Sequence, residues 1–182
     1  MLLAIDTSTA RVGLALYDGA SVTGELVWGG GARNTEQLAP ALAELLTRCG
    51  KTMGDVTALG VALGPGSFTS LRVGLSFVNG LALAKSIPLV GVPTLDVVAA
   101  SVPLANKKLA AVLQAGRGRI AVGWYHAAEN GWQADGPAAG TTAAELEQSI
   151  KKPTIICGEL TAYERQLLAR KFKNVTLVSP AQ

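Results

Sequence analysis

This sequence predicts an α/β fold built twice, as two lobes, and three observations predict it. The chain opens with short apolar runs at 2–6, 11–18 and 21–28, joined by turns of a few polar or small residues. Segments with helical spacing then alternate with short apolar runs to about residue 100, and the second half repeats the order. Residues 2–18, placed over 110–126 without a gap, align LLAIDTSTARVGLALYD with AAVLQAGRGRIAVGWYH, so Arg11 meets Arg119 and Tyr17 meets Tyr125. Identity is low, but both stretches read strand, small-residue turn, strand, which predicts a duplicated βββαβαβα unit. The expected division is 1–103 and 104–182.

In the first half, the three strands are separated by Thr7-Ser8-Thr9-Ala10 and Asp18-Gly19-Ala20, and a triple glycine at 29–31 ends the series. A helix follows over about 35–48, with Asn34 as N-cap, Gln37 three residues on, and Leu38, Leu42, Leu45 and Leu46 as one apolar stripe. Pro40 lies past the first turn and predicts a kink or a late start. A buried strand at 56–63 leads through GPGS into a helix ending near 85, then a strand at 88–92 and a short helix at 94–100. The second half predicts strands at 109–114, 119–126, 131–134, 154–157 and 174–178, and helices at 142–150, capped by Thr141 or Thr142, and 161–172.

Composition narrows the function classes. Hydrophobic residues make up 49% of the 182 and charged ones 16%, a surplus that points to a large core or to a surface covered by a partner. A net charge of +3 permits contact with nucleic acid without marking a dedicated binder. Basic clusters at Lys107-Lys108, Lys151-Lys152 and Arg170-Lys171 with Lys173 read first as solvated surface. Cys49 and Cys157 lie far apart, and with His126 as the one histidine they form neither a zinc set nor a disulfide framework. No metal site is expected. The start, MLLAIDTST, has no positive n-region, and no run approaches the roughly 20 apolar residues of a membrane span. A reduced, cytoplasmic protein without membrane contact is the expectation.

Duplicated folds of this pattern include the actin, Hsp70 and sugar-kinase group (ASKHA, ribonuclease H-like), which hold ATP between their lobes. There the first hairpin of each half approaches the phosphates, and each usually carries a carboxylate to orient metal and water. Asp6, followed by Thr7, Ser8 and Thr9, fits that place in the first half, while the gapless alignment puts Gln114 opposite it. Glutamine is no base and a poor magnesium ligand, which argues against an ATPase or kinase acting alone. Asp6 also reads as a turn former bonding its own backbone. Gly116-Arg117-Gly118-Arg119 reads as a hairpin turn with two exposed arginines rather than a phosphate clamp. His126 reads as a strand-end histidine without chemistry, and Ser67 has no partner for a hydrolase triad.

The stretch GPGSFTSLRVGLSFVNG, 64–80, lacks the lysine of a phosphate loop, although a helix N-terminus there can still attract an anion. Asp6, Thr7, Ser8, Gly64, Gly66 and Ser67 are therefore the candidate residual nucleotide or phosphate contacts. The helix itself is more informative. At 100° per residue, Val73, Phe77, Leu81 and Ala84 share one side, and Leu71, Leu75, Val78 and Ala82 another, an apolar arc of about 200°. Packing on one core needs only about half that width. Gly74 and Gly80 keep the surface flat enough for a second helix. Such a helix is either wedged between the lobes of its own chain or covered by another polypeptide.

LAIDTST at 3–9, NTEQLAPALAELL at 34–46, GPGSFTSLRVG at 64–74 and GVPTLDVVA at 91–99 resemble blocks of the bacterial TsaB family, also called YeaZ. The resemblance covers about the first 100 residues well and the second lobe loosely. It implies an actin-like two-lobe protein, a degenerate paralogue of the catalytic subunit TsaD, which transfers a threonylcarbamoyl group to the adenosine beside the tRNA anticodon. It further implies pairing with TsaD, docking of the ATPase TsaE on the pair, and a homodimer when TsaD is absent. Cofactors are then expected only in the partners, ATP and metal among them, and tRNA contact only through the complex. The family's helical interface corresponds here to Leu38, Leu42, Leu45, Leu71, Arg72, Val73, Phe77 and Gly80. The chain departs from the family at Asn34, commonly histidine, at Ser70, commonly glycine, and at Gln114-Ala115-Gly116, usually Asp-Ala-Arg. It is also short for the family, which implies a trimmed second lobe. The first functional reading is a non-catalytic subunit for threonylcarbamoyl transfer. The alternative is an actin-like-fold small-molecule kinase or ATPase using Asp6 as base, and a glycoprotease ranks last.

Overall fold

The computed structural model describes residues 1–29, 34–171 and 173–179, with only the backbone described at 34 and 35. It divides into two compact units, Met1–Pro93 and Thr94–Gln182.

In the first unit β1 (Leu2–Asp6), β2 (Arg11–Tyr17) and β3 (Val22–Gly29) form an antiparallel meander. Helix α1 (Asn34–Arg48) then leads to β4 (Ala58–Ala62), α2 (Phe68–Lys85) and β5 (Leu89–Val92). The sheet order is β3-β2-β1-β4-β5, with β4 and β5 parallel to β1 because each is reached by a helical crossover. Alternation along the strands sends Leu3, Ile5, Val12, Leu14 and Leu16 to one face, where they meet Leu38, Leu42, Leu45 and Leu46 of α1 and Val78 of α2. Helix α1 runs through Pro40 from Asn34, against the late start expected from the proline. The Asn34 side chain, read as a cap, and Gly30 and Gly31 of the triple glycine lie outside the described residues.

The second unit opens with α3 (Thr94–Ala100). Its Leu95 and Ala99 pack with Leu109, Ala111, Leu113, Tyr125 and Cys157 of this unit. The Tyr125 hydroxyl donates to the Asp96 carboxylate at 2.7 Å. Burial, and then that bond, push the phenol well above its ordinary pKa. The unit continues with β6 (Lys108–Gly116), β7 (Arg119–Ala128), β8 (Gly131–Ala134), β9 (Ala139–Thr141), α4 (Ala143–Ser149), β10 (Thr154–Gly158), α5 (Ala162–Ala169) and β11 (Val175–Leu177). Strand β9 has no sequence signal, since three small residues show no period, and it pairs with β7 beyond the end of β8. Thr142 and Thr161 each accept from the residue three positions on, and Glu145 and Glu164 return the bond, so both helices start in capping boxes.

The sheet order β11-β10-β6-β7-β8 is the first unit's order repeated, with the same parallel and antiparallel pairs. The duplication is real, but the gapless alignment needs one correction. Leu3 pairs with Leu16 on the face of the first sheet that α1 and α2 cover, and Ala110 pairs with Trp124 on the face of the second that α4 and α5 cover. Val12 and Leu14 thus match Ile120 and Val122 as aligned, while Leu3 and Ile5 match Ala110 and Val112, one residue out. The extra residue is absorbed at Ala115, where the pairing shifts between Gln114 and Gly116. Gln114 therefore stands where Thr7 stands, and fully buried Leu113 stands where Asp6 stands.

Leu42 is 4% exposed inside the first core, so Leu42→Ala should cost about 2–5 kcal/mol in thermal or urea unfolding. A variant that melts like the parent would show that α1 is not held by this core.

Candidate functional site

The GPGS turn holds the end of β1. Ser67 N–H donates to the Ser8 carbonyl at 2.7 Å, and Thr7 Oγ1 donates to the Ser70 carbonyl at 2.7 Å. Gly66 has to be glycine, because a Cβ there would lie 2.1 Å from the Ser8 carbonyl oxygen. Gly74 meets Thr7 in the same way, its added Cβ falling 2.2 Å from Thr7 Oγ1. Gly74 thus admits a neighbour from its own unit rather than the second helix expected from the sequence. Thr7 and Ser8 are each 1% exposed.

Asp6 shapes the same loop. Its Oδ1 accepts from Ser8 N–H at 2.7 Å and from Ser8 Oγ at 2.5 Å, an Asx turn across the strand end. Thr9 Oγ1 continues the pattern, accepting from Arg11 N–H at 3.1 Å and donating to its carbonyl at 2.9 Å. Of the six candidate phosphate contacts, Thr7, Ser8, Gly66 and Ser67 are thereby engaged with one another or with α2, and Gly64 packs beside Leu71.

The second unit uses the same joint with other chemistry. Gln114 Nε2 donates to Glu164 Oε2 at 2.7 Å and to the Glu159 carbonyl at 3.3 Å, tying the strand end to the first turn of α5. Glu164 is 6% exposed, and its Oε2 also accepts from Thr161 N–H. The amide is a tether here, a role its sequence position did not announce. Among the described residues no group of three histidine, cysteine, aspartate or glutamate side chains could hold a metal ion.

Tethering the start of α2 fixes which side faces out. Leu38, Leu42 and Leu45, expected at a partner interface, are buried in the core of their own unit. Leu71, Val73 and Phe77 are half-buried, while Arg72 and Gly80 are exposed, with open space around Gly80. Phe68, missed in the sequence, is 68% exposed, and the Arg72 guanidinium lies 3.8 Å over its ring. Its one sequence signal is the four-residue spacing from Arg72. Phe68, Arg72, Val73, Ser76 and Phe77 line a groove of about 580 Å³ on this face, with Leu38 beneath.

Residues 32–179 match the family model described as TsaD, tRNA N6-adenosine threonylcarbamoyltransferase. The tRNA threonylcarbamoyladenosine biosynthesis protein TsaB of Escherichia coli K12 is 32% identical over 85% of this chain. The chain belongs to the TsaD-like family, in its TsaB (YeaZ) branch. It spans 64% of the length of the Escherichia coli TsaB. The solved YeaZ of Pseudomonas aeruginosa superposes with a TM-score of 0.76 at 21% identity, covering 93% of this chain and 90% of that one. A Bacteroides thetaiotaomicron protein of unknown function, described as having an actin-like ATPase fold, shares the fold at a TM-score of 0.54 and 11% identity, over 100% of this chain and 91% of its own. The actin-like fold class expected from the element order is the one found.

If Asp6 serves the turn, Asp6→Asn keeps an oxygen for Ser8 and should lose under about 1 kcal/mol, whereas Asp6→Ala should lose about 1–3 kcal/mol. Equal loss from both variants in urea unfolding would refute the Asx-turn role.

Proposed function

We propose that this chain acts in tRNA threonylcarbamoyladenosine biosynthesis as a non-catalytic subunit that pairs with a TsaD-like catalytic subunit. Membership of the TsaB branch supports the pathway, and the exposed groove on α2 supports the mode of action. Phe68 carries the reading: it stands exposed beneath the Arg72 guanidinium at the edge of an apolar groove, and aromatic–arginine pairs are typical interface anchors. Phe68, Arg72, Val73, Phe77, Leu71 and Gly80 then form the contact, and Leu38, Leu42 and Leu45 hold the helices beneath it. ATP and metal belong to the partner subunits, a TsaE-like ATPase joins the pair, and the same face joins two copies of this chain when the catalytic subunit is absent. A kinase or ATPase using Asp6 gains no support: Asp6 Oδ1 serves the Ser8 turn, and the matching strand end of the second unit carries Leu113 and Gln114 rather than a carboxylate.

Phe68→Asp and Arg72→Glu change exposed side chains and should leave the melting transition within about 1 kcal/mol of the parent. Each should lower co-purification with a TsaD-like subunit at least tenfold. Pairing undiminished in both variants contradicts the proposal.

A further inference from the structure

The basic pairs Lys107-Lys108 and Lys151-Lys152 are separate in sequence but not in the second unit. Strands β6 and β10 are parallel, with Thr154 opposite Lys108, so both pairs arrive at the same edge. The antiparallel partner β7 sets Tyr125 opposite Leu109 and so brings His126 beside Lys108. Asn106, Lys107, Lys108, His126 and Lys152 line one groove of about 300 Å³ with Pro153, and all five are exposed.

One carboxylate serves this cluster. Asp135 accepts from Lys108 Nζ, and its Oδ1 lies 2.6 Å from His126 Nδ1. Lys108, and then His126, hold the Asp135 carboxyl below its usual range, so it stays ionised and fixes both groups at the groove wall. Among the described residues no carboxylate pairs with Lys107, Lys151 or Lys152. With a neutral imidazole, Lys107, Lys108 and Lys152 against Asp135 leave a charge of +2. Crowding like charges is uphill unless an anion offsets it. The wider distribution agrees, because residues 94–182 hold ten basic against seven acidic residues, +3, while 1–93 hold six against six.

We infer that this groove binds the phosphate backbone of RNA, with Lys107 and Lys152 as the unpaired cations and Lys108 and His126 held as donors by Asp135. The choice of RNA among polyanions rests on the function proposed above; the cationic groove does not. Contacts of this kind are sequence-independent, and each contributes to the salt dependence of binding.

The full chain is titrated against a labelled tRNA transcript over 50–200 mM KCl by fluorescence anisotropy, beside a Lys107→Gln/Lys152→Gln variant and a charge-matched control in the other unit, Lys51→Gln/Lys85→Gln. Circular dichroism confirms that both fold. The groove variant should bind about tenfold more weakly, with the slope of log K against log salt shallower by about 2, and the control should bind at least threefold more tightly than the groove variant. Equal affinity of the two variants, or no binding by the parent at 50 mM KCl, overturns the inference. Displacement of the transcript by millimolar inorganic phosphate, or by polyglutamate as readily as by unlabelled RNA, overturns it too, by making the groove a small-anion or an acidic-peptide site. Co-purification with a TsaD-like subunit, measured on the same variants, reports the pairing separately. RNA affinity unchanged with pairing intact removes only this inference, and a parent that binds RNA through the groove but does not co-purify with a TsaD-like subunit removes only the other.

Discussion

The bond from Ser67 N–H to the Ser8 carbonyl is the constraint on which the first unit turns. It joins the end of the opening hairpin to the first residue before α2, and Gly66 and Gly74 let the two backbones approach closely enough to make it. With that end pinned, Val78 is committed to the core and Phe68, Arg72 and Gly80 are committed to solvent. The same turn that invites a phosphate-cradle reading is occupied by its own hairpin. The second unit ties the matching strand end with the Gln114 amide, which reaches the Glu159 carbonyl and the Glu164 carboxylate where the first unit uses the Thr7 hydroxyl. Two solutions to one architectural need fit a duplication whose halves have diverged in side chain but not in topology.

Much of the architecture was legible because it is local. Strand alternation, the Thr-x-x-Glu boxes before α4 and α5, and the turn residues each carry their signal within a few positions. What stayed hidden is what depends on pairing across the chain. A one-residue bulge at Ala115 leaves no mark in composition, yet it moves Gln114 from the place of Asp6 to the place of Thr7. The leucine stripe of α1 shows that a face is covered without saying by what, and its own sheet turned out to cover it. The convergence of Lys107, Lys108 and Lys152 likewise follows from the β6–β10 register, which no window along the sequence contains.

These placements divide the labour between the units. The first presents an aromatic and cationic helix face over a conventional core; the second carries the whole of the excess positive charge. Asp6 gives its Oδ1 to its own loop and Gln114 gives its Nε2 to the start of α5, so both strand ends carry tethers. The subunit role proposed above draws on this allocation.

The central claim is that the outer face of α2 is covered by a TsaD-like subunit. Hydrogen–deuterium exchange of the full chain, alone and with that subunit, tests it directly. The account predicts added protection across residues 68–80 on mixing. Complex formation with unchanged exchange over that helix would contradict it.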